Sequence, residues 1–213
     1  MNREWGKYPP LSLVRFIAKN YYKASDRSAI KILELGSGTG ANLWYLSREG
    51  FTVYGIDGSK TACEKAKQRL ITEGLSGRIG SIIVGDYFDQ LDFFADEYFD
   101  AIIDIGSLCC NSFDRAQQII IKSIRKLRAH GRLFSQTFAD GTWGLDFTPI
   151  GYNACYPIEG PMAGEGYNRF TSKKDISKLY QPSGSKIVSV QRQELHIDDE
   201  HRVNDWLIEL EKL

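Results

Sequence analysis

Between Lys31 and Thr137 the chain alternates short apolar runs with longer stretches in which apolar residues recur at every third or fourth position. The short runs, Lys31–Leu35, Phe51–Ile56, Ile79–Val84, Phe99–Ile105 and Arg132–Thr137, are bounded by Gly and Asp and predict strands. The longer ones predict helices. One covers 11–24, just after Pro9-Pro10, and another covers Ala41–Arg48, closing at Gly50. A third is capped by Ser59 and runs to about Thr72. The fourth, Asp114–Ala129, carries Ala116, Ile120, Ile124 and Leu127 on one stripe and is ended by Gly131. Strands that are apolar at successive positions are buried on both faces, which implies a parallel sheet covered by helices. Right-handed crossovers make such a sheet doubly wound.

The rhythm breaks after the fifth strand. Residues 138–169 are rich in Gly, Pro, Tyr and Trp and show no period. A loop of that length is functional or disordered, and its aromatic content argues against disorder. Regularity returns with a helix over Ser172–Tyr180. Two alternating stretches follow, Lys186–His196 and Val203–Leu210, joined by the polar turn Asp198-Asp199-Glu200. Strands joined so tightly must pair antiparallel. The expected fold is therefore α/β and Rossmann-like, a doubly wound sheet that is mostly parallel with one antiparallel strand near the C-terminus. The expected organisation is one domain over 1–213, with 1–29 a helical cap or lid and 138–169 an insertion.

Composition narrows the partners. At 213 residues the chain suits a single core, and 42% hydrophobic with 25% charged residues is ordinary for a globular protein. Lys+Arg and Asp+Glu are both 27, so no global field holds nucleic acid or an anionic membrane. The first ten residues have no apolar signal region, and no 18-residue apolar stretch exists to span a membrane. Cys63, Cys109, Cys110 and Cys155 lack the spacing of a zinc or disulfide framework, which predicts reduced thiols, no metal and a cytoplasmic location.

The candidate chemistry begins at Ile32–Gly40, read Ile-Leu-Glu-Leu-Gly-Ser-Gly-Thr-Gly. Alternate glycines turn the chain sharply and let it approach a ligand, and the helix that follows presents unpaired N–H groups. Gly36, Gly38 and Ala41 fit the dinucleotide pattern G-x-G-x-x-A, whereas Gly36, Gly38 and Gly40 fit the tighter G-x-G-x-G. Glu34, two residues before the first glycine, suits a ligand with a cationic amino group better than a pyrophosphate. Asp57, ending the second strand, can accept both hydroxyls of a ribose. Asp86, ending the third with Tyr87 beside it, can address the edge and face of an adenine.

Together these residues resemble the class I S-adenosylmethionine-dependent methyltransferases. The resemblance is carried by Glu34-Leu35-Gly36-Ser37-Gly38-Thr39-Gly40, Tyr54-Gly55-Ile56-Asp57, Gly85-Asp86 and Phe99-Asp100-Ala101-Ile102-Ile103-Asp104. It implies the seven-strand fold of that family, with S-adenosylmethionine as cofactor. Gly36, Ser37, Gly38 and Gly40 would pass under the methionine part of the cofactor. Glu34, Asn42 and the backbone of Ile105 and Gly106 would meet its amino and carboxylate end. Asp57 would hold the ribose, and Asp86, with Tyr87 or Gly58-Ser59, the adenine. Strand four is followed by Ile105-Gly106-Ser107-Leu108, not by the tetrapeptide of exocyclic-amine DNA methyltransferases, and no Pro-Cys pair exists for cytosine attack. With zero net charge, these absences point to a small-molecule acceptor methylated at oxygen or nitrogen. Trp143, Tyr152, Tyr156 and Arg169 are the candidate acceptor pocket. His196 is the candidate general base, against the plainer reading of a solvated rim histidine. Trp5 and Tyr8 either close over the cofactor or pack on the first helix. Two other functions fit the glycine turn: a nicotinamide-dependent reductase, for which no Tyr-x-x-x-Lys set is present because Tyr180 is followed by Gly184, and a non-catalytic adenosyl-binding module.

Overall fold

The computed structural model describes residues 6–145 and 149–213. The elements are α1 (Leu11–Tyr21), β1 (Lys31–Leu35), α2 (Ala41–Arg48), β2 (Thr52–Asp57), α3 (Lys60–Thr72), β3 (Ile79–Val84), α4 (Tyr87–Gln90) and β4 (Phe99–Ile105). They continue with α5 (Phe113–Lys126), β5 (Leu127–Phe138), β6 (Ala154–Cys155), β7 (Asn168–Arg169), α6 (Ile176–Tyr180), β8 (Ser185–Ile197) and β9 (His201–Lys212). Among the described residues seven strands form one sheet in the order β3-β2-β1-β4-β5-β9-β8, and β6 pairs with β7 separately. β1, β2 and β3 run parallel. β9 runs antiparallel to both β5 and β8, so it is the strand that breaks the parallel direction. The Rossmann-like sheet expected from the pattern is the one observed.

The chain divides into two compact units, Met1–Ile103 with Arg125–Gly131 and Asp104–Ile124 with Arg132–Leu213. In the first, Leu33, Leu43, Leu46, Val53, Ile56 and Leu70 are fully buried. Each such side chain contributes about 1.5–3 kcal/mol through apolar burial. β3 departs from the expectation of two buried faces: it is a sheet edge, and Ile82 is its single buried residue. α5 stops at Lys126, short of the expected Ala129. The Arg125 and Lys126 carbonyls accept from Glu97 and Tyr98 N–H at 3.0 and 2.9 Å, and Lys126 Nζ donates to Phe94 O and Asp96 Oδ1, both at 2.8 Å. The helix end is thus occupied by another backbone, and Leu127 starts the strand.

In the second unit Ile119, Ile120, Leu133, Ile208 and Leu210 form the apolar centre. Arg132 reaches Glu209 at 2.5 Å and Glu211 at 3.0 Å, two residues on one face of β9, and Lys186 meets Glu211 at 3.2 Å. A slip of one residue would turn those carboxylates to the opposite face, so the clamp fixes the β5–β9–β8 register. The aperiodic stretch is ordered where described. β6 and β7 pair, Phe170 N–H donates to Asn153 O at 2.8 Å, and Trp143 N–H donates to Arg202 O at 2.7 Å. Its lack of period follows from strands of two residues, too short to alternate visibly. The expected helix over 172–180 is instead a 3₁₀ turn, Lys173–Asp175, followed by α6. Buried Asp175 there accepts from Ser172 Oγ at 2.5 Å and from the Tyr152 hydroxyl at 2.9 Å.

One irregularity in the first unit has an identifiable cause. The β2–β3 register shifts between Val53 and Tyr54, leaving Gly80 outside the paired residues. A Cβ at Gly80 would overlap the Tyr54 ring. That ring is edge-on to Phe99 at 5.1 Å, and its hydroxyl bonds that of Tyr98 at 2.9 Å. Gly80→Ala is expected to lower unfolding free energy by about 1–3 kcal/mol, the usual cost of overpacking. Urea denaturation of Gly80→Ala with and without Tyr54→Leu checks this: the smaller side chain should recover much of the loss, and additive penalties would reject the assignment.

Candidate functional site

The glycine turn belongs to the first unit. Gly36, Gly38 and Gly40 have φ of 70°, 51° and 83°, which other residues adopt at a cost. Gly36 and Ser37 N–H both donate to Ile56 O, at 2.9 and 3.1 Å, fastening the turn to the end of β2. Asp57 continues the fastening: Oδ2 accepts from Gly38 N–H at 2.7 Å and Oδ1 from Ser59 N–H at 2.8 Å. One carboxylate therefore ties the turn to the cap of α3, where Ser59 Oγ accepts from Ala62 N–H at 3.3 Å. Gly40 caps α2, and a Cβ there would lie 2.7 Å from Ala66 Cβ of α3, so the glycine permits the two helices to approach.

The surrounding polar groups are placed as follows. Glu34 is buried and accepts from Asn42 Nδ2 at 2.5 Å, so these two predicted residues are brought together. Asp86 caps α4 by accepting from Phe88 N–H at 2.8 Å, with Tyr87 half-buried next to it. Gly58 and Ser59 are exposed. Added Cβ atoms at Gly38 and Gly58 would meet only open space, while the Ser37 hydroxyl is buried with no partner. Open space over the bare backbone of Gly38 and Gly58 is a cradle, and the donors and acceptors around it fit a nucleoside bearing an amino acid. Tyr8 stands edge-on to Trp44 at 5.5 Å, and the Lys7 carbonyl accepts from Arg69 Nη1 at 2.9 Å. A groove of about 520 Å³ there is lined by Thr39, Lys65 and Glu73 among others. Trp5 lies outside the described residues.

The remaining candidates belong to the second unit. Ile105 and Gly106 are half-buried; Gly106 has φ of 70° and donates its N–H to Gln136 O at 2.9 Å. Arg169 is fully buried, whereas Tyr152 and Tyr156 are 50% and 58% exposed. Trp143 stacks on His201 with centroids 3.8 Å apart, and its ring N–H donates to Glu159 at 3.2 Å. His196 is half exposed on β8 and pairs with Glu194 at 2.7 Å. The four cysteines are free thiols. No cluster of metal-binding side chains occurs among the described residues.

Sequence reasoning missed a buried polar cluster in this unit. Asp104, wholly inaccessible, accepts through Oδ1 from Ser107 N–H, Ser107 Oγ and Leu108 N–H at 3.0, 2.8 and 2.9 Å. Its Oδ2 accepts from Ser135 Oγ at 2.5 Å, and Ser135 meets the Tyr180 hydroxyl at 3.0 Å. The available signal was an acidic residue inside an apolar strand. Burial pushes the Asp104 carboxyl above its ordinary value, outweighing the hydrogen bonds that favour its ionised form.

Residues 33–135 match a methyltransferase-domain family model. Among solved structures, the S-adenosylmethionine-dependent methyltransferase of Methanosarcina mazei is 21% identical, with a TM-score of 0.74, over 92% of this chain and 97% of that one. The PH0226 protein of Pyrococcus horikoshii is 16% identical, with a TM-score of 0.71, over 95% and 89%. A geranyl diphosphate methyltransferase in complex with GPP and sinefungin is 14% identical, with a TM-score of 0.70, over 95% and 79%. No curated protein sequence matches the chain. The fold is a Rossmann-like α/β sheet whose first strand leads into a three-glycine turn. Over residues 33–135 the chain is thus similar to the methyltransferase domain, and its fold is the one seen in S-adenosylmethionine-dependent methyltransferases.

Asp104 gives a pH dependence. Because its carboxyl is raised in the folded state, its contribution to stability is fully present below the unfolded value of about 4 and is lost as pH rises through the folded value. The unfolding free energy of the wild type minus that of Asp104→Asn should therefore fall from about pH 4 upward and then level off. Urea titrations across that range measure it; a difference that is flat or grows with pH would contradict the burial effect.

Proposed function

We propose that this protein is an S-adenosylmethionine-dependent methyltransferase that acts on a small-molecule acceptor at oxygen or nitrogen. The observation that carries the reading is the ordered 149–175 region, which sets Tyr152, Tyr156 and a fully buried arginine around short paired strands in a chain of zero net charge. Nucleic-acid enzymes need a cationic track for phosphates, which this composition does not favour. Free thiols at all four cysteines suit a reducing compartment such as the cytoplasm.

S-adenosylmethionine supplies an activated methyl group on a sulfonium with a neutral leaving group. The chain's own task is then to bind, orient and exclude water. Asp57 already accepts two backbone N–H groups, and a carboxylate offers about four lone-pair sites, so two remain for the ribose hydroxyls. In this reading Glu34 and Asn42 address the amino-acid end. Ser37 and the glycines line its path, and Asp86, Tyr87, Gly58 and Ser59 frame the adenine. Positioning of this kind supplies ~7–11 kcal/mol of a barrier, against a general base's roughly 10²–10⁴-fold. His196, paired with Glu194 on an exposed strand, is a rim histidine in this reading, and no proton transfer is assigned to it.

Asp57→Ala should weaken S-adenosylhomocysteine binding by roughly 10- to 100-fold, the loss of charge-assisted hydrogen bonds, as measured by calorimetry on folded protein. Unchanged affinity would reject the ribose contact. For the acceptor, methyl-tritiated S-adenosylmethionine incubated with the enzyme and a whole-cell extract should label the low-mass soluble fraction. Label confined to precipitated protein or nucleic acid would overturn the small-molecule reading.

A further inference from the structure

Arg169 is 1% exposed, and among the described residues no carboxylate pairs with its guanidinium. Nε donates to Asn111 O at 3.2 Å and Nη1 to Thr171 Oγ1 at 3.0 Å, both neutral acceptors, while Nη2 is buried with no partner at all. Of five N–H donors, two are used. Three remain, one on Nη1 and two on Nη2, and a bidentate fork for a carboxylate takes two donors from neighbouring nitrogens. A buried cation left in this state is destabilising, and a bound anion would relieve it.

Among the described residues none supplies that anion. The Arg169 charge acts on the Tyr167 and Tyr180 hydroxyls and the Cys109 thiol, lowering each against burial. Asp104 acts on Tyr180 and Cys109 as well, but its two oxygens already accept from Ser107, Leu108 and Ser135. A second buried polar atom without a partner, Thr137 Oγ1, lies on the same face of β5 as Ser135. β7 holds the arginine rigidly: it pairs with β6, packs on the 3₁₀ turn Leu108–Cys110, and is followed by Thr171, whose N–H and carbonyl are bound by Phe138 and Trp206.

We propose that the unused N–H donors of Arg169 are the anchor for the acceptor, and that the acceptor carries a carboxylate. The anchor fixes one end of the molecule and leaves a hydroxyl or amine at the other as the methylated group. This assignment rests on the small-molecule reading above.

The test measures thermal stability of the full chain in acetate and benzoate. Each is compared with its neutral amide (acetamide, benzamide), with chloride at equal ionic strength and with inorganic phosphate. At least one carboxylate should raise the melting temperature saturably while its amide does not, and Arg169→Met should weaken that effect roughly tenfold or more. Arg169→Met without ligand should also melt no lower than the wild type, because it removes an uncompensated buried charge. Arg169→Lys, which keeps the charge but not the fork, should retain a reduced response. The proposal is overturned if carboxylate and amide act alike, if neither acts, if only phosphate acts, or if the response survives in Arg169→Met. If Arg169→Met does not fold, the carboxylate-to-amide comparison on the wild type and the Arg169→Lys response decide. S-adenosylhomocysteine binding by the same preparations and the tritium-labelling result are read separately. Failure of the anchor alone leaves methyl transfer to a small molecule standing, and label confined to macromolecules with a carboxylate response intact removes the acceptor role and leaves an anion site.

Discussion

The Asp57 carboxylate is the contact on which the glycine turn of the first unit depends. It accepts from Gly38 N–H on one side and Ser59 N–H on the other, and so joins the glycine turn, the end of β2 and the start of α3. Charge-assisted hydrogen bonds of this kind are worth about twice neutral ones. The Ile56 carbonyl, one residue earlier, holds Gly36 and Ser37 in the same way. Two successive residues of β2 therefore fix a turn whose three glycines have little conformational preference of their own. The ligand-binding shape is held by the strand beside the turn rather than by the turn.

That arrangement explains why this half was legible in the sequence. A strand tip bearing Asp, a glycine triplet and an early helix are local features, and their geometry follows from backbone chemistry at fixed spacing. The boundaries of α2, β3 and β4 agree with the pattern residue for residue. What failed did so for long-range reasons. The end of α5 is set by hydrogen bonds from Glu97 and Tyr98, nearly thirty positions away in the chain, and no local propensity announces them.

The second unit was read less well, and for a different reason. Its strands β6 and β7 are two residues long, so periodicity has nothing to register. Its chemistry lies in burial, which a sequence does not print. Arg169 is an ordinary cation in the sequence and an uncompensated one in the fold, while Asp104 passes for a strand-end acid and is in fact enclosed by four donors. The aromatic residues that stood out, Tyr152 and Tyr156, are largely exposed. Aromatic density signalled an ordered region correctly and located its polar centre poorly.

The position of β9 has a consequence for synthesis. It is last in chain order, yet it lies between β5 and β8 in the sheet. During translation β8 is made with no neighbour to join, because the strand that separates it from β5 has not yet appeared. The open edge of β5 must wait through the whole of residues 139–200, and Arg132 waits with it for Glu209 and Glu211. A chain emerging from the ribosome can therefore complete β1 to β4 early, while the far side of the sheet closes only when its final strand slots into the gap.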